Sequence, residues 1–111
     1  MSKGTIIRLL AIVTILTAEK GINRYQGHLE TYYSLPMEKI VQQAQEKGIN
    51  EVYWVRGDGV KMYGQYVMCA GNFKVHPYGS TVDTSLGMGR ILDTGDFAKK
   101  NPNTIDIATD W

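Results

Sequence analysis

The chain has 111 residues, which suits one compact domain. Its composition of 43% hydrophobic and 21% charged residues favours a packed core and excludes a disordered chain. The net charge of +1 offers no electrostatic footprint for nucleic acid, so we expect no nucleic-acid partner. The single cysteine, Cys69, excludes an internal disulfide and a cysteine-rich zinc site, and its apolar surroundings indicate a small buried side chain.

The N-terminal segment has the pattern of a secretion signal. Lys3 and Arg8 precede the uncharged run "LLAIVTILTA", which ends at Ala18 and is too short for a comfortable transmembrane helix. We predict a signal peptide or short anchor over residues 1–18 and hence an extracytoplasmic location. The alternative is a buried N-terminal helix or strand. Residues 19–27 would then be a linker, and residues 28–111 the working domain.

One helix is predicted, directly after the first strand. "HLETYY" (28–33) alternates in the manner of a strand. In the next segment, Ser34 is a capping residue and Pro36 suits a first helical turn, while Gly48 is a typical helix terminator. The apolar residues between them recur at helical spacing, which predicts a helix over 35–47.

The remainder of the chain is predicted to be β. Five further strands, separated by glycine, proline and asparagine, are expected at 51–55, 65–71, 80–85, 89–93 and 104–108. The segment "RGDG" (56–59) is expected to be a turn. Six short strands and one helix favour a sandwich or a small barrel.

Two aspartates near the C-terminus are candidates for chemistry. Asp93 ends a strand before the turn residues Thr94 and Gly95. Asp106 lies between Ile105 and Ile107, so alternation predicts that it faces away from the isoleucines, towards a cleft or solvent. A carboxylate on a strand is rigidly placed for catalysis, although a plain solvent-facing residue is the alternative.

Metal binding is weakly indicated. The aspartates at 93, 96, 106 and 110 do not have the spacing of a calcium loop, which needs ligands at alternate positions within about twelve residues. We therefore predict no metal and no other cofactor. A metal-dependent hydrolase that uses Asp93, Asp96 and Asp106 remains as a weaker alternative.

Two motifs resemble the three-aspartate domain, called 3D, of bacterial cell-wall enzymes. They are "HPYGSTV" (76–82) and "GRILDTGDFAKKNPNTIDIA" (89–108), and the similarity covers roughly residues 60–108. Related members are the stationary-phase survival and resuscitation-type muralytic proteins and the catalytic region of membrane-bound lytic transglycosylase A. The resemblance implies a mainly β fold, a small six-stranded double-psi β-barrel with one inserted α-helix.

The resemblance also implies site residues. Asp106 matches the catalytic acid/base and Asp93 the aspartate of the Asp-Thr-Gly turn. Asn72 stands where the family has a third aspartate, and Asp96 stands where it usually has glycine. The residues expected to bind substrate are Asn72, Thr94, Gly95, Asp96 and Thr31.

The implied activity is that of a lytic transglycosylase acting on peptidoglycan glycan strands. Such an enzyme cleaves the β-1,4 bond between N-acetylmuramic acid and N-acetylglucosamine, and the muramic 6-hydroxyl attacks in place of water. One carboxyl group can serve as acid and then as base, whereas ordinary glycosidases need two. The alternative is a non-catalytic cell-wall glycan-binding or structural module on the same barrel.

Overall fold

A computed structural model describes residues 14–111, and this range is mainly β. It contains eight strands and two helices, the second of which is a single turn. In chain order they are β1 (Asn23–Tyr25), β2 (His28–Tyr33), α1 (Glu38–Glu46), β3 (Tyr53–Val55), β4 (Lys61–Tyr63), β5 (Tyr66–Ala70), β6 (Thr81–Thr84), β7 (Gly87–Asp93), α2 (Phe97–Lys100) and β8 (Ile105–Ala108).

All six predicted strands and the predicted helix are present. The helix begins at Glu38 rather than at residue 35: Pro36 disfavours helical geometry at Leu35, and Met37 is the N-cap residue. Gly48 follows the helix with φ +84°, a conformation that glycine adopts without strain. The strands β1 and β4 and the helix α2, each of three or four residues, were not predicted.

The strands form one mixed sheet in the order β1-β2-β8-β5-β4-β3, and β7 pairs with β5 and β6. One edge of β5 is shared by β4 and β8, and the opposite edge pairs with β7. The pairs β2–β8 and β5–β7 are parallel, and the others are antiparallel. Within residues 14–111, no ladder joins β1, β3 and β6 to one another, so closure of the sheet into a barrel is not confirmed.

The sheet has a hydrophobic core on each face. The first core contains Leu16, Val60, Met62, Val67, Cys69, Ile91, Ile105 and Ile107. The second core lies under α1 and contains Met37, Ala44, Tyr63, Met68, Leu92 and Ala108. Since Ile105 and Ile107 face the first core, Asp106 faces the side of the sheet that carries α1, as alternation predicted.

The folded domain extends further towards the N-terminus than residue 28. Leu16 is 1% exposed, and its backbone N–H donates to Ser85 Oγ at 3.0 Å. The Tyr32 hydroxyl donates to the Ala18 carbonyl at 2.9 Å. Within the predicted linker, β1 pairs with β2. Leu16 thus contributes to the first core.

The rest of the predicted signal peptide, residues 1–13, lies outside the described residues. From residue 14 onwards, no helix has the length and apolar character needed to cross a membrane.

Candidate active site

The two candidate aspartates lie in one row across four strands. Asp93 on β7 is paired with Ala70 on β5, Ala70 with Asp106 on β8, and Asp106 with Thr31 on β2. The Cα atoms of the two aspartates are therefore separated by two strand spacings, about 10 Å in a flat sheet. Ala70 stands between them and contributes only a methyl group, which leaves space between the carboxylates.

A β-bulge places Asp93 in this row. The pairing of β5 with β7 runs Cys69 with Ile91 and then Ala70 with Asp93, so Leu92 is an extra residue on β7. In a regular ladder, Leu92 would be the partner of Ala70, and Asp93 would share the face of Ile91. Bulges commonly redirect a side chain beside an active site, and here the redirected side chain is Asp93.

Asp106 has the properties of a carboxyl group that can hold a proton. Its Oδ1 accepts a hydrogen bond of 2.8 Å from Thr31 Oγ1, and no described residue donates to its Oδ2. Partial burial raises the pKa of Asp106, and the negative charge of Asp93 raises it further, while the Thr31 hydrogen bond opposes the shift. Burial is the largest of these effects, because it disfavours the ionised form.

Asp93 is held at both oxygens. Its Oδ1 accepts a 2.8 Å hydrogen bond from the Thr94 backbone N–H, and its Oδ2 accepts one of 3.3 Å from the Tyr33 hydroxyl. Burial raises the pKa of Tyr33, and the charges of Asp93 and Asp106 both act in the same direction. Tyr33 therefore remains a protonated donor beside the two aspartates.

Sequence reasoning missed Tyr33 as a site residue, although a signal was present. Thr31 and Tyr33 are two positions apart in β2, so they lie on the same face of the sheet as Asp106.

Two open grooves lie next to this row. The first, here called the Asp93 groove, has a volume of about 750 Å³ and is lined by Gln43, Glu46, Lys47, Phe73, Tyr78, Asp93 and Thr94. The second, the Asp96 groove, has a volume of about 720 Å³ and is lined by Asn72, Phe73, Lys74, Thr94, Gly95, Asp96, Ala98 and Lys99. The structure thus brings four predicted binding residues together in the Asp96 groove, with Thr94 common to both grooves. Asp106 and Thr31 line neither groove.

Asn72 is engaged in holding the protein's own loops. Its Nδ2 donates to the Ala98 carbonyl at 2.9 Å, and its Oδ1 accepts from the Lys74 backbone N–H at 2.8 Å. Neither Asp93 nor Asp106 is among its hydrogen-bond partners. Asn72 therefore fixes the loop after β5 to α2, and it does not provide the support for Asp106 that its place in the motif suggests.

Asp96 projects into solvent at the start of α2. Its side chain is 100% exposed, and its only ion pair among the described residues is with Lys99 at 3.6 Å. An exposed pair of this kind contributes little to stability. Unlike the partly buried Asp93 and Asp106, Asp96 is accessible to a ligand in the Asp96 groove.

The described part of the chain contains no group of three or more His, Cys, Asp or Glu side chains placed to hold a metal ion. Asp93, Asp96 and Asp106 therefore do not form the shared metal site of the weaker alternative.

Comparison with models of known protein families, with curated proteins and with solved structures found no match to this chain. The relationship to the three-aspartate domain remains a hypothesis that rests on the sequence motifs.

Proposed function

We propose that this protein cleaves peptidoglycan as a lytic transglycosylase, with Asp106 as the catalytic acid and base. The observation that carries the proposal is the environment of Asp106. Its carboxyl group is partly buried, its pKa is raised, and only one of its oxygens accepts a hydrogen bond from a described residue. A carboxyl group in this state keeps its proton closer to neutral pH than an exposed aspartate, as a general acid must.

The proposed reaction uses the same carboxyl group twice. Protonated Asp106 donates its proton to the glycosidic oxygen as the bond from that oxygen to C1 of N-acetylmuramic acid breaks. The 6-hydroxyl of the same sugar then forms a bond to C1, and its proton passes to the Asp106 carboxylate. The product is a 1,6-anhydro sugar, the acid is regenerated, and no water is consumed.

Asp93 and Tyr33 support this cycle by electrostatics and orientation. The Asp93 charge favours the protonated form of Asp106, which is the form that begins the reaction. The Tyr33 hydroxyl and the Thr94 backbone N–H fix the position of the Asp93 carboxylate. Asp93 is accordingly the essential partner of Asp106 rather than a second acid.

The two grooves are the proposed path of the glycan strand. Both are lined by Phe73, which is 40% exposed and forms an edge-on contact with Tyr78 at 5.7 Å between ring centroids. An exposed aromatic ring is a suitable platform for a sugar. Because Asp93 lines the first groove, a strand lying there would approach Asp106 from the Asp93 side.

The finer fold assignment and the location belong to the same proposal. We infer that the mixed sheet corresponds to the double-psi barrel of the three-aspartate domain, since Asp93 and Asp106 share one row of the sheet. Peptidoglycan lies outside the cytoplasmic membrane, so the proposed activity requires an extracytoplasmic protein that is secreted or associated with the cell wall.

A specific observation favours the second candidate, a non-catalytic cell-wall glycan-binding module. Asp106 lines neither groove, and Asn72 is bonded to the chain itself. A protein that binds glycan in the two grooves without reaching Asp106 would have the same surface.

Mass spectrometry of purified peptidoglycan distinguishes the two candidates. The wild-type chain and the Asp106→Asn variant are incubated with peptidoglycan, and the soluble fraction is analysed. We expect anhydro-muropeptides with the wild-type chain only. Absence of soluble product from both proteins, over a range of pH and salt, would reject the enzyme and leave the binding module.

A further inference from the structure

A third groove lies on the other side of α1 from the Asp93 groove. It has a volume of about 440 Å³ and is lined by Pro36, Met37, Glu38, Val41, Gln42, Gln45, Tyr53 and Lys61. We call it the Lys61 groove. Its volume falls in the range of about 300–1,000 Å³ that is usual for small-molecule sites. None of these residues lines either groove of the proposed active site.

Lys61 is a buried cation without a counter-ion. The residue is 8% exposed, and its Nζ donates to the Leu35 carbonyl at 2.7 Å. No carboxylate of residues 14–111 lies within 4.0 Å of this ammonium group. Buried charges are ordinarily paired, because removal of an ion from water is unfavourable. One carbonyl oxygen leaves two of the three ammonium donors without a partner among the described residues.

The N-terminus of α1 adds a second positive feature at the same place. The N-cap residue Met37 forms no side-chain capping hydrogen bond, so no cap satisfies the first backbone N–H groups. The end of a helix that carries these N–H groups has a partial positive charge. The carbonyl of Leu35, two residues before Met37, holds the Lys61 ammonium near this end. Glu38 in the first turn of α1 offsets part of this positive charge, but it forms no ion pair with Lys61.

We infer that the Lys61 groove binds the carboxylate of a small apolar ligand, such as the C-terminal carboxylate of a short peptide. The carboxylate would accept hydrogen bonds from Lys61 Nζ and from the first N–H groups of α1. The apolar part would contact Pro36, Met37 and Val41. Charged hydrogen bonds of this type are the stronger ones in proteins, which makes Lys61 the main determinant of affinity.

Two further side chains define the orientation of the ligand. The Tyr53 hydroxyl has no hydrogen-bond partner among the described residues, and burial raises the pKa of Tyr53, so it stays a donor. Glu38 also lines the groove, and its carboxylate repels an anion. The ligand carboxylate is therefore expected on the Lys61 side of the groove, and its apolar end towards Val41.

The site does not depend on the proposed glycan cleavage, since α1 separates the Lys61 groove from the Asp93 groove. The probes for its test are N-acetyl-Ala-Ala with a free C-terminal carboxylate and the same dipeptide as its C-terminal amide. Each is titrated into the full-length chain while backbone amide signals are followed by NMR. We expect saturable shifts at residues 38–41 with the carboxylate, and affinity lower by about ten-fold or more with the amide.

Single substitutions test whether the carboxylate probe binds at Lys61. Lys61→Met keeps an unbranched apolar side chain and removes the ammonium group, and it is expected to weaken binding of the carboxylate probe by about ten-fold or more. Lys39→Met, the same change at an exposed position of α1, is the control and should bind as the wild-type chain does. Glu38→Gln should strengthen binding, because it removes a repelling charge from the groove.

The inference is overturned if the carboxylate and amide probes bind equally, or if the shifts map outside the Lys61 groove. A loss of affinity in Glu38→Gln would also overturn it, because Glu38 would then contribute to binding of the carboxylate instead of repelling it. Should Lys61→Met fail to fold, the comparison of the two probes on the wild-type chain decides alone. Neither result bears on the release of anhydro-muropeptides, so the two proposals fail independently.

Discussion

Glu30 and Asp106 are two carboxylates on opposite faces of the same sheet, and their surroundings differ. Glu30 on β2 is 0% exposed and accepts three hydrogen bonds, from Asn23 Nδ2 at 3.1 Å, Ser85 N at 2.8 Å and Ser85 Oγ at 2.6 Å. Asp106 lies beside Thr31, the next residue of β2, and accepts one hydrogen bond.

The difference separates a structural carboxylate from one that is suited to chemistry. Both oxygens of Glu30 accept hydrogen bonds, and His28 Nε2 lies 3.8 Å from Oε2. Asp106 is partly buried and accepts one hydrogen bond, so its ionised form is less favoured than that of an exposed aspartate. A buried group with every hydrogen bond satisfied holds a fold together, whereas an unsatisfied carboxyl group retains the capacity to exchange a proton.

The largest expected effect is on activity at Asp106. Asp106→Asn keeps the shape of the side chain and removes its titratable proton, so muralytic activity should fall by about 100- to 10,000-fold. Release of anhydro-muropeptides measures this loss. The matched control is Asp83→Asn, at an exposed position of β6, which should keep wild-type activity. Equal activity of the two variants would contradict the role of Asp106.

The next effect is on stability at Glu30. Glu30→Gln replaces one acceptor oxygen with an NH₂ group that faces donors, and each buried group left unsatisfied costs about 1–3 kcal/mol. The free energy of unfolding in urea should fall by about that amount, while any activity per folded molecule is unchanged. Glu19→Gln, at an exposed position, is the control and should leave stability near the wild-type value. A Glu30→Gln variant as stable as the wild-type chain would show that the hydrogen bonds of Glu30 with Asn23 and Ser85 are not needed for stability.

A smaller effect on activity is expected from a substitution of Tyr33. Tyr33→Phe removes the 3.3 Å hydrogen bond to Asp93 and should lower activity by about 2- to 10-fold, the equivalent of one hydrogen bond. The neighbouring Tyr32→Phe removes a hydroxyl that donates to the Ala18 carbonyl and should affect stability only. Comparison of the two pH–rate profiles tests the assignment, because only Tyr33→Phe should change the profile.

The smallest effect is the pH dependence of stability at Asp106. Because the pKa of Asp106 in the folded protein lies above its ordinary value of 3.8, ionisation disfavours the folded state. This penalty is absent below pH 3.8, develops as the pH rises through the folded pKa, and is complete above it. Asp106→Asn should therefore melt at a higher temperature than the wild-type chain at about pH 7, and the difference should vanish in acid. A difference that does not depend on pH would show that the two pKa values are equal.

Local patterns in the sequence predicted most of the secondary structure. Alternation in "HLETYY" and in "TIDIA" placed β2 and β8, and the glycine after the helical run placed the end of α1. Alternation also put Asp106 on the face opposite Ile105 and Ile107. These features depend on neighbours within a few residues, so they are readable from a single chain.

Features that depend on distant parts of the chain could not be read in this way. Strict alternation would put Asp93 on the face of Ile91, and only the bulge at Leu92 brings it to the face of Asp106. The roles of Asn72 and Lys61 are fixed by carbonyl groups 26 residues away along the chain in each case, at Ala98 and Leu35. No short-range pattern records such partners.

The sequence by itself determined that the domain is mainly β, where one helix begins and ends within a few residues, and which aspartates lie on or beside strands. These properties follow from the spacing at which apolar residues recur along the sequence and from the positions of turn residues. The tertiary structure alone decided that Asp93, Ala70, Asp106 and Thr31 form one row, and that Glu30, one residue from Thr31, is buried in a separate network. Strand pairing sets that row, and pairing is a property of segments far apart in the chain.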